Sequence, residues 1–360
     1  MTARCRHYLP PRSRIGTREF FTESIPPILL PPVIFTGLLL ALWTWKCFWI
    51  VVLQDKLLYL SWLPPLSRSE SISDYAREFR GVQWTEKQIR SSDGTKLAVC
   101  EGRFPSDAAR RKRVVICYFQ GNGGSTPLRL PLLSQFMKSV RETDPSGDVQ
   151  YVVVALSYRG YWKSAGRATQ RGIELDAQAF LNWVAETYVS EETDLRVVLW
   201  GHSLGAAVAS SATVKYLADT SSRGISEARL PIKGLILEAP ISSIKDMLIS
   251  LYPQKWLPYR YLWPFSWNNW DVAAALEELA RSHNAGRHEK GLRVPPIFLM
   301  SAESDEVIPL WVADQLEEKA KSVGLDIQRK NVKGAMHIEG PLKEDGRKAL
   351  VKFVTQTSTS

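Results

Sequence analysis

The chain has 360 residues, 45% of them hydrophobic, and a formal net charge of +9. That length suits one globular unit carrying a cap better than two domains. The charge does not mark a nucleic-acid binder. Five of the basic residues lie in the first 18, the rest are scattered, and the only dense run, Arg110–Arg113, sits just before a strand as a solvated loop or a contact for anionic lipid headgroups. The four cysteines lack metal-ligand spacing, no phosphate-binding loop is present, and no metal or cofactor is implied.

Residues 1–27 read as a basic tail with Arg4, Arg6, Arg12, Arg14 and Arg18. Residues 28–53 read as a transmembrane anchor: no charge occurs between Glu23 and Lys46, and Val33–Leu53 would reach about 31 Å as a helix. Lys46 would have to snorkel. No small-residue cleavage site follows Leu53, which argues against a removed signal peptide. Residues 54–80 read as a linker, and 81–360 as the catalytic unit. Within it, residues 82–101 read as a hairpin turning at Asp93-Gly94. Strands at 114–119, 149–156, 195–200, 233–238, 296–301 and 327–333 alternate with helices near 129–142, 172–189, 204–218, 309–323 and 343–354. This alternation predicts an α/β fold, a mostly parallel sheet with helices on both faces. Thr220–Arg229 reads as a loop and residues 241–293 as an inserted cap. The cap is rich in aromatics. Trp256, Trp263 and Trp267 are candidates for an apolar substrate pocket, with plain cap packing an equal alternative.

The chemistry concentrates at Gly201-His202-Ser203-Leu204-Gly205, between a strand and a helix. A serine on so tight a turn needs tiny neighbours two residues away on each side and stands clear of the sheet as a nucleophile. Asp305 follows the strand at 296–301, and His337 follows the strand at 327–333. Serine, acid, histidine in that order, each after a strand, is the arrangement of α/β-hydrolases. His7, His283 and His288 lie in polar tail or loop sequence, and His202 is inside the elbow, so His337 is the candidate base. Asp305 is preferred over Glu303 and Glu306 as the acid. Gln120-Gly121-Asn122-Gly123-Gly124, after the strand at 114–119, suits an oxyanion hole built from the amides of Asn122 and Leu204.

Several segments carry a closer resemblance: Ser157-Tyr158-Arg159-Gly160-Tyr161-Trp162 with Gly172 and Asp176, Trp200–Gly205, Leu237-Glu238-Ala239-Pro240, and Tyr252-Pro253 to Tyr261. From about residue 80 onward the chain resembles membrane-anchored serine hydrolases of the lysophosphatidylserine and monoacylglycerol lipase type and their fungal bud-emergence-type relatives. The resemblance implies the α/β-hydrolase fold, the Ser203-Asp305-His337 triad, an amino-terminal anchor and a lipid ester substrate. The family usually has histidine where Gln120 stands, and a small polar residue and an acid where Ile338 and Glu339 follow His337.

The basic tail before the span, against Lys56 and Arg68 after it, predicts a single-pass protein of the endoplasmic reticulum with a lumenal catalytic domain. No glycosylation sequon is available to support this. Two other functions remain open: a thioesterase that removes acyl groups from protein cysteines, and a non-catalytic membrane scaffold of the same fold.

Overall fold

A computed structural model describes residues 26–105, 111–144, 147–222, 230–286 and 294–359. The basic tail, Arg110, most of the loop expected at 220–229 and residues 287–293 of the expected cap lie outside the described residues. The helix α1 (Leu30–Val52), with the 3₁₀ turn Pro27–Leu29 before it, is long and apolar enough to cross a membrane, and none of it is buried.

Eight strands form one sheet in the order β1-β2-β4-β3-β5-β6-β7-β8. They are β1 (Gln83–Arg90), β2 (Lys96–Arg103), β3 (Lys112–Phe119), β4 (Val149–Leu156), β5 (Asp194–His202), β6 (Ile232–Glu238), β7 (Ile297–Ala302) and β8 (Ile327–Val332). β1 and β2 form the expected antiparallel hairpin, β2 pairs antiparallel with β4, and every pairing from β4 to β8 is parallel. The β-branched run of β3 is buried on both faces, as parallel strands require. Its side chains alternate between two cores. Val115, Cys117 and Phe119 pack on one side with α4 (Gln170–Tyr188), α5 (Leu204–Ser222) and α8 (Leu310–Ser322); Val114, Ile116 and Tyr118 pack on the other with α3 (Thr126–Glu142) and α9 (Glu344–Thr359).

Arg159 and Asp176 explain one of the segments that carried the resemblance. Asp176 is fully buried and receives Arg159 Nε, Nη2 and backbone N–H at 2.7–3.1 Å, while Arg159 Nη1 reaches Asp93 at the hairpin turn at 2.8 Å. The pair ties the β1–β2 hairpin to α4. Removing one partner would strand a buried charge, at a cost of about 3–5 kcal/mol.

The structure adds detail at two of the expected divisions. Residues 54–80 are not a free linker: α2 (Gln54–Tyr59) and the 3₁₀ turn Ile72–Glu78 fold onto the catalytic unit, with Tyr59 buried. The cap is also shorter than 241–293. It holds α6 (Ile244–Leu251) and 3₁₀ turns at Pro258–Tyr261 and Trp263–Phe265. The helix α7 (Val272–Gly286) instead packs on α5 and α8, burying Val272, Leu276 and Leu279 completely. Their spacing is that of one helical face, which is why the segment belongs to the layer covering the sheet.

Candidate active site

All the motif residues gather at the carboxyl ends of the parallel strands. The Gln120–Ser125 loop leaves β3, Ser203 leaves β5, Asp305 follows β7 and His337 follows β8. In open α/β sheets this edge, next to the point where strand order reverses, is where ligands bind; here the reversal has β3 flanked by β4 and β5.

Ser203 has φ of 53°, a left-handed conformation that a non-glycine residue adopts only under constraint. The flanking glycines show what constrains it. A Cβ on Gly201 would lie 2.2 Å from the Gly205 carbonyl oxygen, and one on Gly205 would lie 2.1 Å from the Phe119 oxygen of β3. The start of α5 thus passes too close to β5 and β3 for any side chain. The Ser203 amide is held by the Glu238 carbonyl of β6 at 2.8 Å.

The loop after β7 carries three acids with three different contacts. Asp305 meets His337 Nδ1 with both oxygens, at 3.0 and 2.9 Å, and its Oδ1 also accepts the amides of Val307 and Ile308 at 2.9 and 2.7 Å. The carboxylate is therefore fixed before it meets the imidazole. With Nδ1–H donated to Asp305, Nε2 is the lone-pair nitrogen. Glu306 accepts the backbone N–H of His337 at 3.0 Å, and Glu303 accepts that of Gly334 at 2.9 Å. Asp305 contacts the ring, whereas its two acidic neighbours hold the backbone of the same loop.

Three groups beneath the site were not singled out from sequence as part of it. His202 is buried, and its ring centroid lies 5.0 Å from that of His337. Arg129 Nη2 lies 2.7 Å from His202 Nδ1, closer than its 3.1 Å to Nε2. An arginine can only donate, so Nδ1 accepts and Nε2–H faces the His337 carbonyl at 3.4 Å. Burial, and after it the Arg129 charge, holds the His202 pKa well below its ordinary value, which keeps this ring neutral. Glu238 is also buried. Trp200 Nε1 donates to its Oε2 at 2.8 Å, while Oε1 has no hydrogen-bond partner among the described residues. Burial pushes the Glu238 carboxyl up to about 7.

The glycine loop is held from outside the sheet. Gly123 and Gly124 have φ of 66° and 72°, and their amides donate to the Tyr59 carbonyl at 2.9 Å and the Leu63 carbonyl at 2.6 Å. Among the described residues, neither the Asn122 nor the Leu204 amide is engaged in such a bond. Leu204 opens α5, where the first N–H groups have no partner inside the helix. Gln120, where the resembling family usually has histidine, accepts Thr126 Oγ1 at 2.8 Å, and its backbone carbonyl accepts Tyr158 Oη at 2.9 Å.

The three cap tryptophans are largely exposed. Trp256, Trp263 and Trp267 are 67%, 42% and 54% exposed, and none lines the apolar hollow found in this region. Trp263 opens a 3₁₀ turn, whereas Trp256 lies in a turn and Trp267 at a bend; the neighbouring Tyr259 and Asn268 are buried. Cys100 and Cys117 are buried thiols on β2 and β3, and burial raises both pKa values. Among the described residues no cluster of metal-ligating side chains occurs.

A serine thus stands in a left-handed strand-to-helix turn at the carboxyl edge of a mostly parallel sheet. The chain belongs to the alpha/beta hydrolase family, whose model matches residues 122–352 and so includes Asn122, Ser203, Asp305 and His337. It is 26% identical to Protein bem46 of Schizosaccharomyces pombe over 71% of each chain. It is 29% identical to the alpha/beta hydrolase domain-containing protein WAV2 of Arabidopsis thaliana, over 75% of this chain and 77% of the relative. Lysophosphatidylserine lipase ABHD12 of Mus musculus shares 28% identity over 58% of this chain and 46% of its own length. Among solved structures, the Pyrococcus furiosus esterase Pf2001 shares the fold with a TM-score of 0.52 at 18% identity, covering 80% of this chain and 93% of that one.

Two predictions follow from this geometry. Asp305→Asn should lower ester turnover by roughly three to four orders of magnitude by losing the required histidine tautomer, while Glu303→Gln should change it little. Initial rates on a short-chain ester check the ranking, and the reverse order would move the acid to Glu303. The second prediction concerns stability. A carboxyl whose folded pKa is raised is worth most below its unfolded value, near 4.5, and loses that contribution as pH rises through about 7. Thermal unfolding from pH 5 to 8 should therefore show the native chain losing on the order of 3 kcal/mol relative to Glu238→Gln. Parallel curves for the two proteins would remove Glu238 as the source.

Proposed function

We propose that the chain is a membrane-anchored serine hydrolase that cleaves carboxylic esters, lipid esters such as lysophospholipids or monoacylglycerols above all. The observation that carries this reading is the His337 ring, seated on both oxygens of a pre-fixed Asp305 and packed against the residue preceding a strained Ser203. The names of the relatives, a lysophosphatidylserine lipase among them, support the ester and lipid classes.

In this mechanism Ser203 Oγ gives its proton to His337 Nε2 and attacks the acyl carbonyl. The amides of Asn122 and Leu204 receive the oxyanion, and the strand-end setting spares them competing partners. The imidazolium, stabilised by Asp305, then protonates the leaving alkoxide, and the acyl group stays on Ser203. A water deprotonated by His337 attacks the acyl-enzyme. Collapse releases the carboxylic acid and returns the proton to Ser203.

The apolar α1 supports a single-pass anchor. The arginines before it, against Lys56 and Arg68 after it, favour a catalytic unit on the lumenal side of the endoplasmic reticulum.

Ser203→Ala should abolish both fluorophosphonate labelling and ester turnover while leaving the melting temperature within a few degrees, because only one hydroxyl is lost. Retained turnover of a short ester would reject the nucleophile. In intact microsomes the catalytic unit should resist added protease until detergent is supplied; digestion without detergent would overturn the lumenal orientation.

A further inference from the structure

An apolar hollow of about 200 Å³ lies among Ile50 and Val51, α2 and the cap. Its walls include Val51 from the last turn of α1, Leu58 from α2, Met247, Leu248 and Leu251 from α6, and Phe265 from the aromatic turn. No charged side chain lines it, and neither do Ser203, Asp305 or His337.

Four polar side chains, Gln54, Tyr252, Ser266 and Asn268, stand in the wall, and three of them are bonded to one another or to nearby backbone. Gln54 Oε1 accepts Ser266 Oγ at 3.1 Å and Asn268 Nδ2 at 3.2 Å, and Gln54 Nε2 donates to the Val51 carbonyl at 2.9 Å. The wall thus offers a polar ligand few open partners, and most of its surface is hydrocarbon. Apolar walls of this kind favour hydrocarbon, because covering them removes apolar surface from water. The supply of hydrocarbon is part of the wall: Ile50 and Val51 are the last turn of the apolar α1, and the rim residues Leu251, Phe265 and Leu57 are more than half exposed. The hollow is also wired to the glycine loop. Asn268 in its wall accepts the Tyr59 hydroxyl at 2.6 Å, Trp270 Nε1 donates to that hydroxyl at 3.0 Å, and the Tyr59 carbonyl holds Gly123.

We infer that this hollow receives the acyl chain of a membrane lipid ester, entering beside Ile50 and Val51 with the ester directed toward Ser203. This rests on the hydrolase reading above and gives it a chain-binding site different from the exposed tryptophans. The occupant is the acyl chain of the substrate; a resident bilayer lipid offers the same chemistry and is separated from it by the kinetics below.

The test uses the full-length chain in detergent micelles with acetyl and palmitoyl esters of one chromogenic alcohol. Leu251→Trp and Leu57→Trp each add bulk at the exposed rim, where the fold can accept it. Each should lower kcat/KM for the palmitoyl ester about tenfold or more and leave the acetyl ester within about twofold, since only the long chain uses this surface. A palmitoyl-to-acetyl ratio unchanged by either variant overturns the proposal, and so does an equal loss on both esters by a variant that still melts like the native chain. A second arm is independent of turnover. The Ser203→Ala chain is irradiated with a photoactivatable palmitate analogue, and the adduct should map to residues 244–265 or 50–58 and diminish in the rim variants. Labelling only elsewhere overturns the site. Labelling here with no effect on the ester ratio leaves a resident lipid and overturns the substrate assignment. A chain that hydrolyses neither ester while the adduct maps to the hollow refutes the hydrolase reading, and with it the substrate assignment, but leaves the hollow as a hydrocarbon site.

Discussion

The site depends on one steric constraint: the crossing of α5 over the ends of β5 and β3. Gly201 and Gly205 let backbone meet backbone at distances no Cβ could share, and the chain between them is driven into a left-handed turn at Ser203. Such a turn costs of order 1–3 kcal/mol and persists only where its surroundings over-determine it. Here β5 lies between β3 and β6, two paired neighbours, and the Ser203 amide is bonded to β6 itself. The same crossing puts the first turn of α5 beside the loop leaving β3, so two amide-bearing segments from distant parts of the chain arrive together.

The second requirement is that a histidine on a surface loop keep one position. The loops after β7 and β8 achieve this with acids that are not interchangeable. Asp305 is fixed by two amides of its own turn and meets the ring, while Glu306 and Glu303 hold the partner loop through its backbone. From the other side His202 brings a neutral N–H against the His337 carbonyl, with Arg129 setting which nitrogen carries the proton. Among the buried polar atoms around the site, Glu238 Oε1, Gln120 Nε2 and Tyr118 Oη have no hydrogen-bond partner among the described residues, and Glu238 is also the group whose protonation responds near neutral pH.

Much of this was legible in the sequence because it is written in local periodicity. Strands buried on both faces are unbroken β-branched runs, helices between them carry apolar stripes, and the elbow demands its glycines within five residues. Other features depend on contacts that local pattern does not carry. Whether Asp305, Glu303 or Glu306 faces the imidazole depends on the turn made by three adjacent residues, which composition does not encode. Tyr59 lay in a stretch read as linker because its partners, Gly123, Asn268 and Trp270, are 64 to 211 residues away. The cap tryptophans carry no period to show which way they face, since Trp263 stands on a short 3₁₀ turn and Trp256 and Trp267 lie outside regular elements. The Val272-Leu276-Leu279 stripe, by contrast, was a readable helix signal inside the segment assigned to the cap.

The hold of Tyr59 and Leu63 on the glycine loop has a consequence for how the chain can be divided. An anchor is usually regarded as a tether, exchangeable for another without touching the enzyme. Here the ten residues that follow it supply carbonyls to the very loop that lies beside the elbow. Tether and active centre therefore overlap in sequence. A soluble version, or a hybrid with a foreign anchor, retains an intact loop only if its junction falls before Gln54; a junction after Leu63 leaves two loop amides facing solvent where the native chain had given them partners.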